Sequence, residues 1–290
     1  MRRWVALAAL VALPARASDV QTPGAPWLTN VEMPRAAAMG GAHAAVATGN
    51  DALLTNPAGI SQLRRYHLQL DGMLDTRFPA RAFNISILDT TTAAFGTGFL
   101  YSNWSSGREN GRANGWMGVF AYSYQVGSVF VGGATRYMHF DVPDSESAPE
   151  GKVHTWLQDL GLLVRRGNFS WAAVVQNIGT KALPLFPLTA TAGMSVGSDA
   201  SSHLAFDYKA DLHDSNDVKH RLAAGYETLF DGTFPVRLGG TYDASSKDWW
   251  ISAGVGILTQ SFGFQLVWRR KLTGELDQFF QAGITLYLEQ

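Results

Sequence analysis

Tyr66–Asp75 reads YHLQLDGMLD. In an extended chain successive side chains point to opposite sides, so Tyr66, Leu68, Leu70, Gly72 and Leu74 share one face. His67, Gln69, Asp71, Met73 and Asp75 share the other. One face is mainly apolar and the other mainly polar, and that period of two is the signature of a strand. The pattern continues to the C-terminus. Over Ser261–Arg269, Phe262, Phe264, Leu266 and Trp268 oppose Gly263, Gln265, Val267 and Arg269. Over Asp277–Glu289, Phe280, Ala282, Ile284, Leu286 and Leu288 oppose Gln281, Gly283, Thr285, Tyr287 and Glu289. Similar segments fall near 79–88, 93–103, 115–124, 128–138, 154–166, 168–177, 187–197, 201–211, 218–228, 233–243 and 248–258. The total is about 14 segments of roughly ten residues, the length a tilted membrane strand needs. An even count suits a single-chain outer-membrane barrel.

The connections alternate in length. Asp89–Thr92, Gln125–Gly127, Arg166–Gly167, Ser198–Ala200, Leu229–Gly232 and Thr259–Gln260 are short. Trp104–Asn114, His139–Val153, Ile178–Phe186 and Leu212–Asp217 are mostly longer, and Arg77–Phe78 is a tight exception. Short periplasmic turns facing long external loops are the habit of outer-membrane barrels. Asp71, Arg136, Asp159, Asp207, Lys209, Arg221, Glu227, Arg237 and Asp243 fall on the face opposite the apolar one. In a plugged or wet lumen they can pair, whereas buried unpaired in a sandwich core each would cost several kcal/mol. The competing fold is a soluble β-sandwich with one solvated face. Tyr66, Trp104, Trp116, Tyr124, Tyr137, Trp156, Trp171, Trp249, Trp250 and Trp268 lie near strand ends, as interfacial girdles would.

Charged residues make up 16% and hydrophobic ones 46%, a charge-poor balance for a soluble domain. The net charge of −1 gives no pull on nucleic acid. With Cys 0, disulfides, thiolate metal sites and cysteine catalysis are excluded. Arg2-Arg3, the apolar run Trp4–Leu13 and Ala15-Arg16-Ala17 read as a secretory signal over 1–17. No later segment is apolar enough for a membrane helix.

Residues 18–62 do not alternate. Ala36–Ala38 and Ala42–Ala47 are small-residue runs around Gly40-Gly41, suited to close backbone packing. Asp51–Leu54 is expected to form a helical turn with Asn50 as its cap. Asn56-Pro57-Ala58-Gly59 reads as a turn. Such a segment ahead of a barrel, residues 63–290, suits a plug in the lumen; the alternative is a periplasmic tail.

Pro34-Arg35 through Met39-Gly40-Gly41-Ala42, then Asn50-Asp51-Ala52 and Asn56-Pro57-Ala58-Gly59, resembles the N-terminal hatch signature of FadL-type outer-membrane proteins. This superfamily includes long-chain fatty-acid channels and the smaller PorV-type proteins of type IX secretion. Trp171–Gly179, WAAVVQNIG, looks like a strand end of the PorV-like branch, and Asp159–Leu163 is similar to the strand before it. The resemblance implies a 14-stranded barrel with an internal hatch. It implies either passage of hydrophobic molecules or docking of a secreted or envelope protein. The compact size and the polar loop His139–Val153 are closer to the PorV-like branch, and the chain ends Tyr287-Leu288-Glu289-Gln290 rather than on an aromatic residue.

Gly193-Met194-Ser195-Val196-Gly197 matches G-x-S-x-G but lacks the strand-turn-helix context of a nucleophile elbow. Asp211–Asp217 gathers oxygen ligands without an EF-hand's glycine and terminal glutamate. The seven histidines show no metal spacing. The expectation is a non-enzymatic all-β outer-membrane barrel without cofactor or metal, with lipid as its surroundings and a hydrophobic small molecule as its cargo. A docking barrel and a closed structural barrel remain as alternatives. Pro34, Arg35, Met39, Gly40, Gly41, Asn50, Asp51, Asn56, Pro57, Ala58 and Gly59 would form the hatch. Phe95, Phe99, Met117, Phe130 and Phe279 are candidates for lining a pathway.

Overall fold

The computed structural model describes residues 32–75, 80–108, 111–141, 152–179, 186–212, 218–274 and 277–288; the signal and lead-in expected over 1–31 lie outside them. The alternating segments form β1 (Tyr66–Asp75), β2 (Ala80–Asp89), β3 (Phe95–Arg108), β4 (Gly111–Val126), β5 (Val129–Asp141), β6 (Lys152–Arg166) and β7 (Phe169–Gly179). They continue as β8 (Thr189–Gly197), β9 (Ser202–Asp211), β10 (Lys219–Phe230), β11 (Phe234–Asp243), β12 (Asp248–Leu258), β13 (Phe262–Lys271) and β14 (Gln278–Leu288). Each strand pairs antiparallel with its neighbour in sequence, and β1 closes on β14 from Tyr66↔Leu288 to Asp75↔Phe279. Closure removes every sheet edge, the condition for strands to sit in lipid.

The outward faces carry large apolar side chains on every side of the barrel, among them Leu74, Phe120, Leu160, Phe206, Leu238 and Phe280, all exposed. A water-facing protein keeps contiguous apolar patches to a few hundred Å², so this continuous surface is a lipid-facing one. The molecule is an integral barrel of the outer-membrane type, and the sandwich alternative falls with the closure of the sheet. Tyr124, Trp156, Trp171 and Trp249 are exposed on the outside, while Trp104 and Trp250 turn inward. For Trp104 the cause is strand length. β3 runs on to Arg108, so the inward parity of Leu100 and Ser102 continues to Trp104. The expected loop Trp104–Asn114 is therefore mostly the β3–β4 hairpin, paired out to Arg108↔Gly111.

Inside the barrel lie residues 32–62, folded as α1 (Pro34–Ala38), a 3-10 turn at Gly49–Asp51, α2 (Ala52–Thr55) and a 3-10 segment at Pro57–Gln62. Pro34 sits in the first turn of α1, where its missing N–H is harmless. Gly40 at φ 67° and Gly41 at φ 83° end that helix in the left-handed region, which an L side chain resists. Asn50 does not cap α2 as expected. Its amide instead reaches the wall, donating to Ser86 Oγ at 2.7 Å.

Candidate functional site

The lumenal segment fits the wall because the wall lacks side chains where the two meet. A methyl group added to inward-facing Gly132 on β5 would lie 2.4 Å from the Pro57 carbonyl carbon, and one on Gly161 of β6 would lie 2.1 Å from Asn56 Oδ1. One on Gly225 of β10 would meet the Met39 carbonyl oxygen at 2.6 Å, and one on Gly239 of β11 the Gly40 nitrogen at 2.2 Å. Gly98 against Leu53, at 2.7 Å, and Gly254 against Ala38, at 2.6 Å, behave in the same way. These approaches are closer than any real Cβ makes, so glycine on the wall and alanine on the segment form one interlocked surface.

Polar contacts fix the register. Arg35 Nε donates to Glu227 Oε2 at 2.9 Å, its Nη2 donates to Oε1 at 2.8 Å, and its Nη1 donates to Thr48 Oγ1 at 2.6 Å. Arg237 donates to the same Glu227 oxygen from the wall. The segment's arginine and the wall's arginine thus share one buried carboxylate, a bidentate geometry that suits guanidinium. Asp207 Oδ2 accepts from the backbone N–H groups of His43, at 2.9 Å, and Ala44, at 2.8 Å. Asn56 accepts from the Ala58 N–H through Oδ1 at 3.1 Å and donates through Nδ2 to the Ala44 carbonyl at 2.9 Å. Thr241 and Ser252 hydroxyls donate to the Gly40 and Ala38 carbonyls that α1 leaves unpaired. Asp51 accepts from the Ala36 N–H at 3.1 Å, tying the two helical pieces together.

His43 is buried, and its Nδ1 lies 3.1 Å from Thr55 Oγ1. That hydroxyl donates to the Asp51 carbonyl, so Nδ1 carries the imidazole proton and Nε2 presents a lone pair. Burial pushes the His43 imidazole well below its ordinary range, and the nearby Arg35 charge adds to the effect. It sits neutral in the lumenal segment.

Above the segment, on the long-loop side, a chamber of ≈ 290 Å³ opens. Its floor includes Gly40, Gly41 and Leu54. One wall is apolar, built from Trp104, Met117, Met138 and Phe186; the opposite wall carries Lys209, Arg221, Asp243 and Arg269. Arg136 and Gln176 donate to the Leu54 carbonyl, at 3.2 and 2.8 Å, holding the C-terminal end of α2 at the floor. The ladder between β6 and β7 shifts register past Gln158, and Asn177 adopts φ 62° there. Asp159 accepts from the Asn177 N–H at 2.9 Å and pairs with Arg136. The charges on the chamber wall are mostly matched: Arg136 with Asp159, Arg221 with Asp243, Arg269 with Glu32. Lys209 Nζ donates to Gln176 Oε1 at 3.3 Å and has no carboxylate within 4 Å among the described residues.

The structure brings all eleven expected hatch residues, Pro34 through Gly59, into the lumen, and points Asp71, Arg136, Asp159, Arg221, Glu227 and Arg237 inward. Of the pathway candidates, Met117 lines the chamber and Phe279 a smaller cavity beside it. Phe130 is buried low in the barrel against Ala58 and Leu163. Phe95 and Phe99 are corrected: they face outward, because inward parity on β3 belongs to Gly96, Gly98 and Leu100. The G-x-S-x-G stretch lies on β8, and the acidic loop 213–217 lies outside the described residues. Reading the residues singly missed the glycine socket, Gln176 and His43. Strand parity could have found the socket, since its glycines occupy inward positions.

No family model and no curated protein matches the sequence. Solved structures do. The CymD monoaromatic hydrocarbon channel is 15% identical with a TM-score of 0.65, covering 89% of this chain and 97% of its own. The toluene transporter TbuX of Ralstonia pickettii is 13% identical with a TM-score of 0.65, covering 88% and 97%. A Pseudomonas aeruginosa FadL homologue is 10% identical with a TM-score of 0.68, covering 88% and 98%. At these identities the likeness is one of fold, and the fold is that of FadL-type barrels.

Proposed function

We propose that this chain is a passive outer-membrane channel for hydrophobic small molecules, with residues 34–59 acting as its hatch. The observation that carries this reading is the chamber's two-sided lining directly above the hatch. An apolar body can lie against Trp104, Met117, Met138 and Phe186. Lys209, a chamber cation with no carboxylate at ion-pair distance among the described residues, can meet an anionic head. That pairing favours a fatty-acid-like amphiphile over a plain hydrocarbon. The like folds of the CymD monoaromatic hydrocarbon channel and the toluene transporter TbuX support an apolar cargo. Arg35, Asn56 and the Pro57–Gly59 turn hold the hatch closed; Gly40 and Gly41 face the chamber, and Met39 and Gly40 abut the wall.

Native mass spectrometry of protein extracted gently from its own outer membrane tests this. An acyl-chain-sized ligand on the wild-type chain, weakened in Lys209→Gln, is expected. An empty lumen with a stoichiometric protein partner would replace the transport reading by a docking one.

A further inference from the structure

Two histidines that lie 15 residues apart in the chain meet on the outside of the barrel. β5 and β6 pair with His139 directly opposite His154. The ring centroids are 4.5 Å apart, and Nδ1 of one ring is 3.1 Å from Nδ1 of the other. His154 is exposed and His139 half-buried, so the pair is open to solvent. Spacing along the chain hides such a pair. Register creates it, because directly opposed residues hold their Cβ atoms about 5 Å apart.

The neighbouring rungs place the pair at the edge of the lipid belt. One rung towards the short-turn side, Tyr137 is level with Trp156, and their ring centroids are 4.8 Å apart. Trp116 on β4 is level with His139 and stacks on it at 6.0 Å. Aromatic rings of this kind mark the membrane interface. One rung towards the long-loop side stand Asp141 and Lys152, charged groups that belong in water. The imidazoles therefore sit where aqueous solutes reach the outer face of the wall.

Three observations point to a chelate. The first is the bite. Two imidazole nitrogens bound to one ion at about 2.0–2.1 Å, with about 90–110° between the bonds, lie about 2.8–3.4 Å apart. The observed 3.1 Å falls inside that range. The second is competition at His154 Nδ1. It faces His139 Nδ1 at 3.1 Å and Tyr137 Oη at 2.9 Å, yet a ring nitrogen offers a single proton or a single lone pair. The third is Asp141. Its Oδ1 lies 3.6 Å from His139 Nε2, the nitrogen that carries the proton when Nδ1 holds a metal. A carboxylate behind a ligating imidazole fixes that tautomer and raises its basicity.

We propose that His139 and His154 bind a divalent transition-metal ion, Cu2+ most tightly, on the outer face of the β5–β6 hairpin. Imidazole suits Cu2+, Ni2+ and Zn2+, and affinity in this series peaks at Cu2+. Tyr137 Oη and water take the remaining positions, and Asp141 acts from behind His139. Among the described residues no cluster of three His, Asp or Glu side chains suited to a metal occurs. The ion is therefore held by two imidazoles and exchanges with the solution outside.

Cu2+ added to the full chain in detergent, without an affinity tag, tests this by electron paramagnetic resonance. One equivalent should give a spectrum split by two imidazole nitrogens. His139→Gln and His154→Gln should each lose that two-nitrogen pattern. The control is His220→Gln, which removes an exposed histidine that meets Tyr208 at 2.7 Å and should leave the pattern intact. Zn2+ gives a second reading. It should raise the unfolding temperature of the wild-type chain and of His220→Gln, but of neither hairpin variant. Heat-modifiable gel mobility checks that each variant is folded. A two-nitrogen spectrum that survives in folded His154→Gln overturns the proposal, as does a wild-type chain that binds Cu2+ no more tightly than that variant.

Discussion

Glu227 ties the lumenal segment to the wall. It is buried, and it takes guanidinium groups from both Arg35 and Arg237. Glu227→Gln removes the charge and leaves two cations facing a neutral amide. Breaking a buried pair in this way costs about 3–5 kcal/mol. The expected result is a lower unfolding temperature in detergent and faster proteolysis within 34–59, whereas Arg35→Lys should lose only part of this, because the bidentate fork is lost but a charge remains. His43 gives a pH dependence of definite sign. Its folded-state pKa is depressed, so as pH falls below about 6.5 the unfolded chain takes up a proton that the folded chain refuses. Stability is full above that pH and declines as pH falls towards the folded value. Unfolding temperatures recorded from pH 8 to pH 5 should fall for the wild-type chain, and this component of the slope should vanish in His43→Gln.

Among the elements, the strands were legible and the plug only partly so. β1 and β12 have the bounds that alternation assigns, because each strand has lipid on one face and lumen on the other, and period two records this residue by residue. β3 and β4 are longer than assigned because Ser105–Asn114 is rich in Ser, Gly, Arg and Asn, which read as a loop yet pair as a hairpin above the lipid belt. The motifs of the plug were visible, but not their partners. Nothing local to Asn56 announces that Oδ1 will sit against Gly161, over 100 residues away, and Asn50 looked like a cap because the hydroxyl that captures its amide belongs to Ser86, 36 residues on. The socket itself makes a prediction. Gly239→Val and Gly161→Val should leave strand pairing intact by circular dichroism while unseating the segment. The reading is protease access to 34–59, and unchanged protection in both variants would contradict the interlock.

At the scale of the whole molecule, a lipid-facing wall, a lumen closed by interlock and ion pairs, and a two-sided chamber above it are consistent with a gated passage. If residues 34–59 are the barrier, their deletion should raise bilayer conductance well above that of the intact chain. An unchanged conductance would place the barrier elsewhere. The measurement that bears most directly on transport is the initial rate of uptake of a labelled long-chain carboxylate by outer-membrane-intact cells that make, or do not make, this chain. The account predicts a faster rate with the chain, reduced by Lys209→Gln. Equal rates with and without a folded, membrane-inserted chain would contradict it.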